Sequence, residues 1–461
     1  MRDFVDRFPV TPLQQGILTA VLELGALVGA LAAGALADRF SRRQSIFAAC
    51  LVFLAGSLVQ CLARTLFDLV VGRAVGGVAV GALSMLSPLY ISEVSPPELR
   101  GSLMALEQFS IVLGCVLGFW TGFATRNMPG SRAWRLPLAA QLLPGALLAA
   151  GCMLLPPSPR LLVLRGAHGR AWASLCRLRG VIEFMEMRVE AALLQRTADE
   201  AAAPKGSGHI LSGCGGLFSG CGCGGLFDGY GALFGEKYRE RTMVGIMAMF
   251  FQQWVGINAL LYYGPTLVAS IGLGGGDMTL IVSGGIGIAQ FVAVLPAIAY
   301  IDRWGVKEFS ADWDAHRGAA WLAVGAVYVF TIAYGVSIGP IGWVLPSEVF
   351  PLSVRSKGVA LSTASVWVNN FLIGLITPAL MDLSPAAAFA LFASASFAAY
   401  VWATYRVPET AGVALEDVGA VFGDAGAREE AALRRRIEAE LGLPDVVRRA
   451  AAGVVGEGRE A

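Results

Sequence analysis

One stretch of the chain concentrates amide and aromatic side chains inside an apolar run: Phe251-Gln252-Gln253-Trp254-Val255-Gly256-Ile257-Asn258, followed by Tyr262-Tyr263-Gly264-Pro265. Polar groups buried in such a run are costly and seldom idle. Primary amides donate and accept hydrogen bonds at once, and a phenol adds a hydroxyl to a ring face. That set matches a small solute carrying a ring of hydroxyls around an apolar C–H surface. On one continuous helix Gln252, Gly256 and Tyr263 would share a stripe, with Asn258 one turn from Tyr262 and Gly256 leaving room for a ligand. Hydrogen bonding between packed helices is the alternative use of the same amides.

Three ionisable residues, Glu23, Arg73 and Glu107, also lie in apolar runs. Each costs roughly 2.5–3.5 kcal/mol at the centre of a bilayer, so each must face protein or water. Glu23 and Glu107 read as groups hydrogen-bonded between helices. Catalytic chemistry has little to work with. The 3 histidines, His168, His209 and His316, fall in predicted loops. No H-E-x-x-H, phosphate-cradling loop or nucleophilic serine turn occurs. Cys214, Cys221 and Cys223 lack the spacing of a metal cluster and read as part of a linker. Neither an enzyme nor a cofactor is expected.

The elements that must hold these residues are membrane helices. Hydrophobic residues make up 56% of the 461 and charged residues 15%, with 57 glycines. Lys+Arg and Asp+Glu number 35 and 34, so a net charge of +1 gives no reason to expect a nucleic-acid partner. A hydrocarbon layer about 30 Å thick needs roughly 20 apolar helical residues. Such runs lie near 13–36, 45–62, 69–91, 102–125, 136–155, 242–271, 278–301, 318–345, 358–381 and 386–407. This divides the chain into a helix bundle over 1–155, a cytoplasmic segment over 156–241, a second bundle over 242–407 and a cytoplasmic tail over 408–461. Basic residues in the central segment and in the turn at Arg42 and Arg43 mark the cytoplasmic side. Arg126, Arg132 and Arg135 run mildly against that rule on the outer side. No signal peptide precedes the first run. Cys50, Cys61, Cys115 and Cys152 sit in or beside apolar runs as small hydrophobes rather than a disulfide framework. Glu183–Glu200 reads as a solvated helix, Gly206–Gly235 as a glycine-rich linker, and Glu429–Leu441 as a soluble helix.

The two halves echo each other. Asp38-Arg39-Phe40-Ser41-Arg42-Arg43 matches Asp302-Arg303-Trp304-Gly305-Val306-Lys307, and Glu93-Val94-Ser95-Pro96 with Arg100 matches Glu348-Val349-Phe350-Pro351 with Arg355. Duplicated halves suit a site at the midplane around which two bundles rock. Charges at helix ends can then latch the cytoplasmic side, although any one of them could serve only to set topology.

These segments, with Pro156-Pro157-Ser158-Pro159-Arg160 and Pro408-Glu409-Thr410-Ala411-Gly412, resemble the signatures of the sugar porters of the major facilitator superfamily, in wording most like the fungal members. The resemblance implies an all-α membrane fold of two pseudo-symmetric bundles. It implies monosaccharide transport by alternating access, with or without protons, by a monomer of the plasma membrane. It gives Gln252, Gln253, Asn258, Tyr262 and Tyr263 the role of sugar contacts and adds Gln108, Asn370 and Trp343, the last as a stacking face. Arg73 becomes a coupling candidate. Asp38, Arg39, Arg42, Arg43, Glu93, Arg100, Arg160, Asp302, Arg303, Glu348, Arg355 and Glu409 become the cytoplasmic charge network. Sugar porters have twelve spans and this chain has ten runs. Met1–Thr11 resembles the outer loop after the family's first helix, and Lys307–Trp313 joins a cytoplasmic signature to what looks like an outer loop, as though the ninth helix were deleted. A transporter-like sugar sensor, or a chain that transports nothing, are the alternative readings.

Overall fold

The computed structural model describes residues 12–95, 100–164, 166–175, 230–235, 238–258, 328–335, 337–351, 354–383 and 385–408, with a few further positions including 4, 8, 285, 422 and 435–442. Among the described residues the chain is helical and contains no strand. The first bundle holds α1 (Pro12–Arg39), α2 (Arg42–Leu62), α3 (Leu66–Val94), α4 (Arg100–Thr125), α5 (Arg132–Ala140) and α6 (Leu142–Cys152). Short helices α7 (Pro159–Leu164) and α8 (His168–Leu175) follow it. A 3-10 turn at Gly231–Phe234 leads into the second bundle, α9 (Arg239–Trp254), α10 (Ile338–Val349), α11 (Arg355–Leu383) and α12 (Pro385–Arg406).

Seven helical stretches among the described residues are long and apolar enough to cross a membrane. Most of the expected runs fall on helices. The run at 136–155 is broken into α5 and α6 at Gln141, and 278–301 lies outside the described residues except Gly285. The run at 318–345 appears as a span over Tyr328–Val349, with α10 starting afresh after Ser337. Local chemistry sets the ends. Thr65 caps α3, accepting from the Asp68 amide at 3.2 Å while Asp68 accepts from the Thr65 amide at 2.9 Å, a reciprocal capping box.

Helices α1 and α3 pack closest, and small residues explain why. A Cβ at Gly25 would lie 2.6 Å from the Ala74 carbonyl oxygen, and Gly29, Gly77 and Gly81 meet facing backbone just as closely. Lipid offers no hydrophobic drive for helix association, so backbones approach where side chains are absent. Apolar residues such as Leu143, Leu147, Phe397 and Tyr405 point outward, as a lipid-facing surface requires. At the end of the bundle that holds the start of α1 and of α5, Phe4 and Phe8 pack edge-on against Trp134. Arg126 lies 4.0 Å over the Phe123 ring, and Arg135 donates to the Ala63 carbonyl at 3.0 Å.

The two bundles meet along two seams, α11 against α1 and α3, and α10 against α3 and α4. These seams position the site.

Candidate functional site

Helix α9 ends at Trp254. The backbone turns through Val255 and Gly256, whose φ is 98°, before Ile257 and Asn258 resume helical geometry. The expected unbroken stripe is therefore interrupted. A Cβ on Gly256 would stand 2.7 Å from Phe392 Cγ, so this glycine makes room for Phe392 and a left-handed turn rather than for a ligand. The turn carries Asn258 round to face α11.

A relay of amides results. Gln252 Nε2 donates to the Gly339 carbonyl at 2.7 Å, in the first turn of α10, and its amide lies against Gly342. Gln253 Nε2 donates to Gln252 Oε1 at 3.5 Å. Asn258 Nδ2 donates both to Gln253 Oε1 and, at 2.8 Å, to Asn370 Oδ1 on α11. Asn370 Nδ2 then donates across the seam to Glu23 Oε2 on α1 at 3.1 Å. Gln252, Gln253, Asn370 and Glu23 are all buried. Beside the relay, Trp254 Nε1 donates to Asn369 Oδ1 at 2.8 Å, and Trp343 packs on Met249 and Val366.

Four of the expected sugar contacts, Gln252, Gln253, Asn258 and Asn370, thus converge, with Trp343 packed on α9 and α11. Gln108 is buried on α4, the helix that packs against α10. Tyr262 and Tyr263 lie outside the described residues. Arg73 is half-buried on α3. Glu107 differs from its expected role, because its Oε2 is buried without a hydrogen-bond partner among the described residues.

The charge network is partly assembled. Arg42 and Glu93 form a buried ion pair at 3.0 Å, with Arg42 Nε 3.3 Å from both carboxylate oxygens. Arg42 also donates to the Ala37 carbonyl, and the Ser158 hydroxyl bonds Glu93. Arg43 donates to the Leu155 carbonyl at 3.1 Å. Arg355 is fully buried, donates to the Phe350 carbonyl at 2.9 Å and lies near enough to Glu93 to interact with its charge across the halves. Arg39 is exposed and Glu348 half-buried. Asp38, Arg100 and Arg160 belong to α1, α4 and α7, but their side chains, like Asp302, Arg303 and Glu409 entirely, lie outside what is described.

Three contacts escaped the sequence reading. Tyr230 donates its hydroxyl hydrogen to the Leu31 carbonyl at 2.8 Å, Trp367 Nε1 donates to Ser84 Oγ at 3.2 Å, and buried Arg241 donates to the Val349 carbonyl at 3.3 Å. The first two reach α1 and α3 of the first bundle from the 3-10 turn region and from α11. A tyrosine in a glycine-rich segment carries no periodic signal, so only the fold reveals it.

The model of the Sugar (and other) transporter family matches residues 9–311 and 309–422. The chain belongs to that family. As a member of a transporter family it moves solute rather than catalysing a reaction. It is 30% identical over 423 residues to the putative metabolite transport protein YwtG of Bacillus subtilis, covering 88% of this chain and 86% of the relative. It is 30% identical over 428 residues to a D-xylose transporter of Levilactobacillus brevis, covering 89% and 87%. Its fold matches that of the proton:xylose symporter XylE bound to 6-bromo-6-deoxy-D-glucose, with a TM-score of 0.75 at 23% identity over 91% of this chain and 93% of that one. Within this family fold, the relay lies where the two bundles meet.

Proposed function

We propose that the chain carries a monosaccharide, a hexose or a pentose, through a lipid bilayer by alternating access, with protons as the coupled ion. The observation that carries this reading is the amide relay. Its donors and acceptors come from α9, α10 and α11 of one bundle and end on Glu23 of the other. A polyhydroxylated ring exchanging hydrogen bonds with such a relay would loosen the contact between bundles as it binds, which is what rocking around a midplane site requires. The D-xylose that one relative transports and the 6-bromo-6-deoxy-D-glucose bound to the solved symporter are of this chemistry. Gln252, Gln253, Asn258, Asn370, Trp343 and Gln108 are the proposed sugar contacts within the described residues, with Tyr262 and Tyr263 beyond them. Arg73 is the proposed partner in coupling. The Arg42–Glu93 pair, with Arg355 and the other network residues, latches the cytoplasmic side.

The proposed organisation is a bundle to 155, a cytoplasmic segment over 156–241, a bundle over 242–407 and a tail to 461, working as a monomer in the plasma membrane and fungal in type. A missing ninth helix is part of this reading. The family match breaks into two stretches that meet at residues 309–311, inside the Lys307–Trp313 junction that joins a cytoplasmic signature to an outer loop.

The test is uptake of labelled D-xylose and D-glucose into proteoliposomes holding the full chain, with and without an inward proton gradient. Gln252→Ala or Asn258→Ala is expected to cut uptake about tenfold or more, each leaving buried hydrogen-bond partners unsatisfied at about 1–3 kcal/mol apiece. The amount of reconstituted protein should not change. Wild-type vesicles that accumulate no monosaccharide would overturn the proposal.

A further inference from the structure

The relay has a direction, and its two ends fix it. At one end the Gly339 carbonyl can only accept, and at the other an ionised Glu23 can only accept. Gln252 must therefore present its nitrogen to Gly339, and Asn370 its nitrogen to Glu23. Each neighbour follows in turn, until the two series of donors diverge at Asn258. There one Nδ2 gives its hydrogens both ways, to Gln253 and to Asn370. In this arrangement the amides bond each other, and the donors a sugar needs are engaged internally.

Resting on the sugar reading above, we propose that Glu23 is a positioning residue whose protonation unlocks the relay. The ionised carboxylate holds Asn370 by a charge-assisted bond, roughly twice as strong as a neutral one. When Glu23 takes a proton from solvent water, the anionic acceptor is gone. Its O–H can now donate to Asn370 Oδ1, which turns the amide and frees both Asn370 Nδ2 and one hydrogen of Asn258 for sugar hydroxyls. Proton and sugar then favour each other, and by reciprocity a bound sugar holds the proton on Glu23. Because Glu23 lies on α1 and Asn370 on α11, the same step weakens a bond between the bundles.

The charged groups on the elements packed against α1 sit mostly at helix ends. Helix α3 carries Asp68 at its outer cap, Glu93 paired with Arg42, and Arg73. Arg73 precedes Ala74, whose carbonyl lies against Gly25, so Arg73 is the charge at the depth of Glu23. Helix α11 carries Arg355 and Lys357 at its cytoplasmic end and Asp382 at its outer end, and α2 carries Arg42 and Arg43 at its cytoplasmic end.

The experiment is equilibrium binding of labelled D-xylose and D-glucose to the purified full chain in nanodiscs, at about pH 4.5 and about pH 8, one acidic enough to add a proton to a carboxylate and the other too alkaline to do so. The wild type is expected to bind about tenfold more tightly at the lower pH, within the ordinary range of coupling between two sites. Glu23→Gln, neutral at every pH, is expected to bind equally at both pH values, at the tight limit. Asn370→Ser, which leaves Glu23 in place but breaks the relay, should bind more weakly and without pH dependence. Equal wild-type affinity at both pH values overturns the proposal even if neither variant folds, and so does a Glu23→Gln protein that keeps the wild-type dependence. No monosaccharide binding by the wild type at either pH overturns the sugar reading itself, and this inference with it.

Discussion

The Tyr230 hydroxyl and the Leu31 carbonyl meet at 2.8 Å between the segment that leads into the second bundle and the first helix of the other bundle. Gly34 permits the contact, since a Cβ there would lie 2.5 Å from Ala360 Cβ and would run into the Tyr230 hydroxyl. Tyr230 also packs with Leu233, Phe350 and Val354 of the second bundle. It therefore acts as a wedge seated between α1 and α11. Removing its hydroxyl with Tyr230→Phe deletes one hydrogen bond, worth about 0.5–1.5 kcal/mol, so the arrangement with the wedge seated should lose up to about tenfold in population. The measurement is labelling of Ala360→Cys, a buried position, by a membrane-impermeant maleimide. Faster labelling in the Tyr230→Phe background is expected, and unchanged labelling would remove the wedge.

Breaking the Arg42–Glu93 pair should cost more. Both side chains are buried, with exposures of 3% and 0%, so a single replacement leaves one charge without its partner in a dry interior. Glu93→Ala is expected to lose about 3–5 kcal/mol, whereas Arg42→Met with Glu93→Met together should restore much of it, because the paired desolvation cost disappears with the pair. Thermal unfolding followed by size-exclusion fluorescence distinguishes the two. Equal losses in the single and double variants would place the pair's value in something other than its charges.

Glycines divide into two groups by what surrounds them. A side chain at Gly29 would overlap the Val78 backbone of α3, while one at Gly118 on α4 meets nothing within 4 Å. Gly29→Val should therefore prevent recovery of folded protein, a backbone displacement costing at least about 1–3 kcal/mol. Gly118→Ala should be neutral or slightly stabilising, since alanine favours helix by up to about 1 kcal/mol. Monodispersity in detergent reads both.

Glu107 offers the opposite kind of change. One carboxylate oxygen is buried without a hydrogen-bond partner among the described residues. Glu107→Met keeps the length of the side chain and removes the unsatisfied oxygen, so it should raise stability by about 1 kcal/mol, seen as a higher unfolding temperature. A clear loss of stability would mean that the carboxylate holds something in place.

How much of this was legible beforehand follows from what each feature depends on. The spans could be read because roughly 20 apolar residues in a row have few other uses. Gln252, Gln253, Asn258 and Asn370 could be singled out because polar groups in lipid are costly. Their joining into one relay depends on the turn at Gly256, and glycine is common enough in membrane helices to carry no such message. Glu23 was visible as a buried acid, but its partner, Asn370, lies on a helix far along the chain. Tyr230 needed Gly34 and Ala360 to be brought together from three distant segments, which no local pattern encodes.

The turn at Gly256 makes the last prediction. Its φ of 98° suits glycine, and Phe392 fills the space a side chain would need. Gly256→Ala thus meets two separate costs, a backbone strain of about 1–2 kcal/mol and a steric clash. Adding Phe392→Ala relieves only the second. Because Asn258 lies two residues beyond the turn, any adjustment of the backbone moves the point at which the relay diverges. The single variant should therefore weaken sugar binding more than it lowers the unfolding temperature, and the double variant should recover stability before it recovers affinity. If both quantities recovered together, the turn would serve folding alone and Asn258 would find its place without it.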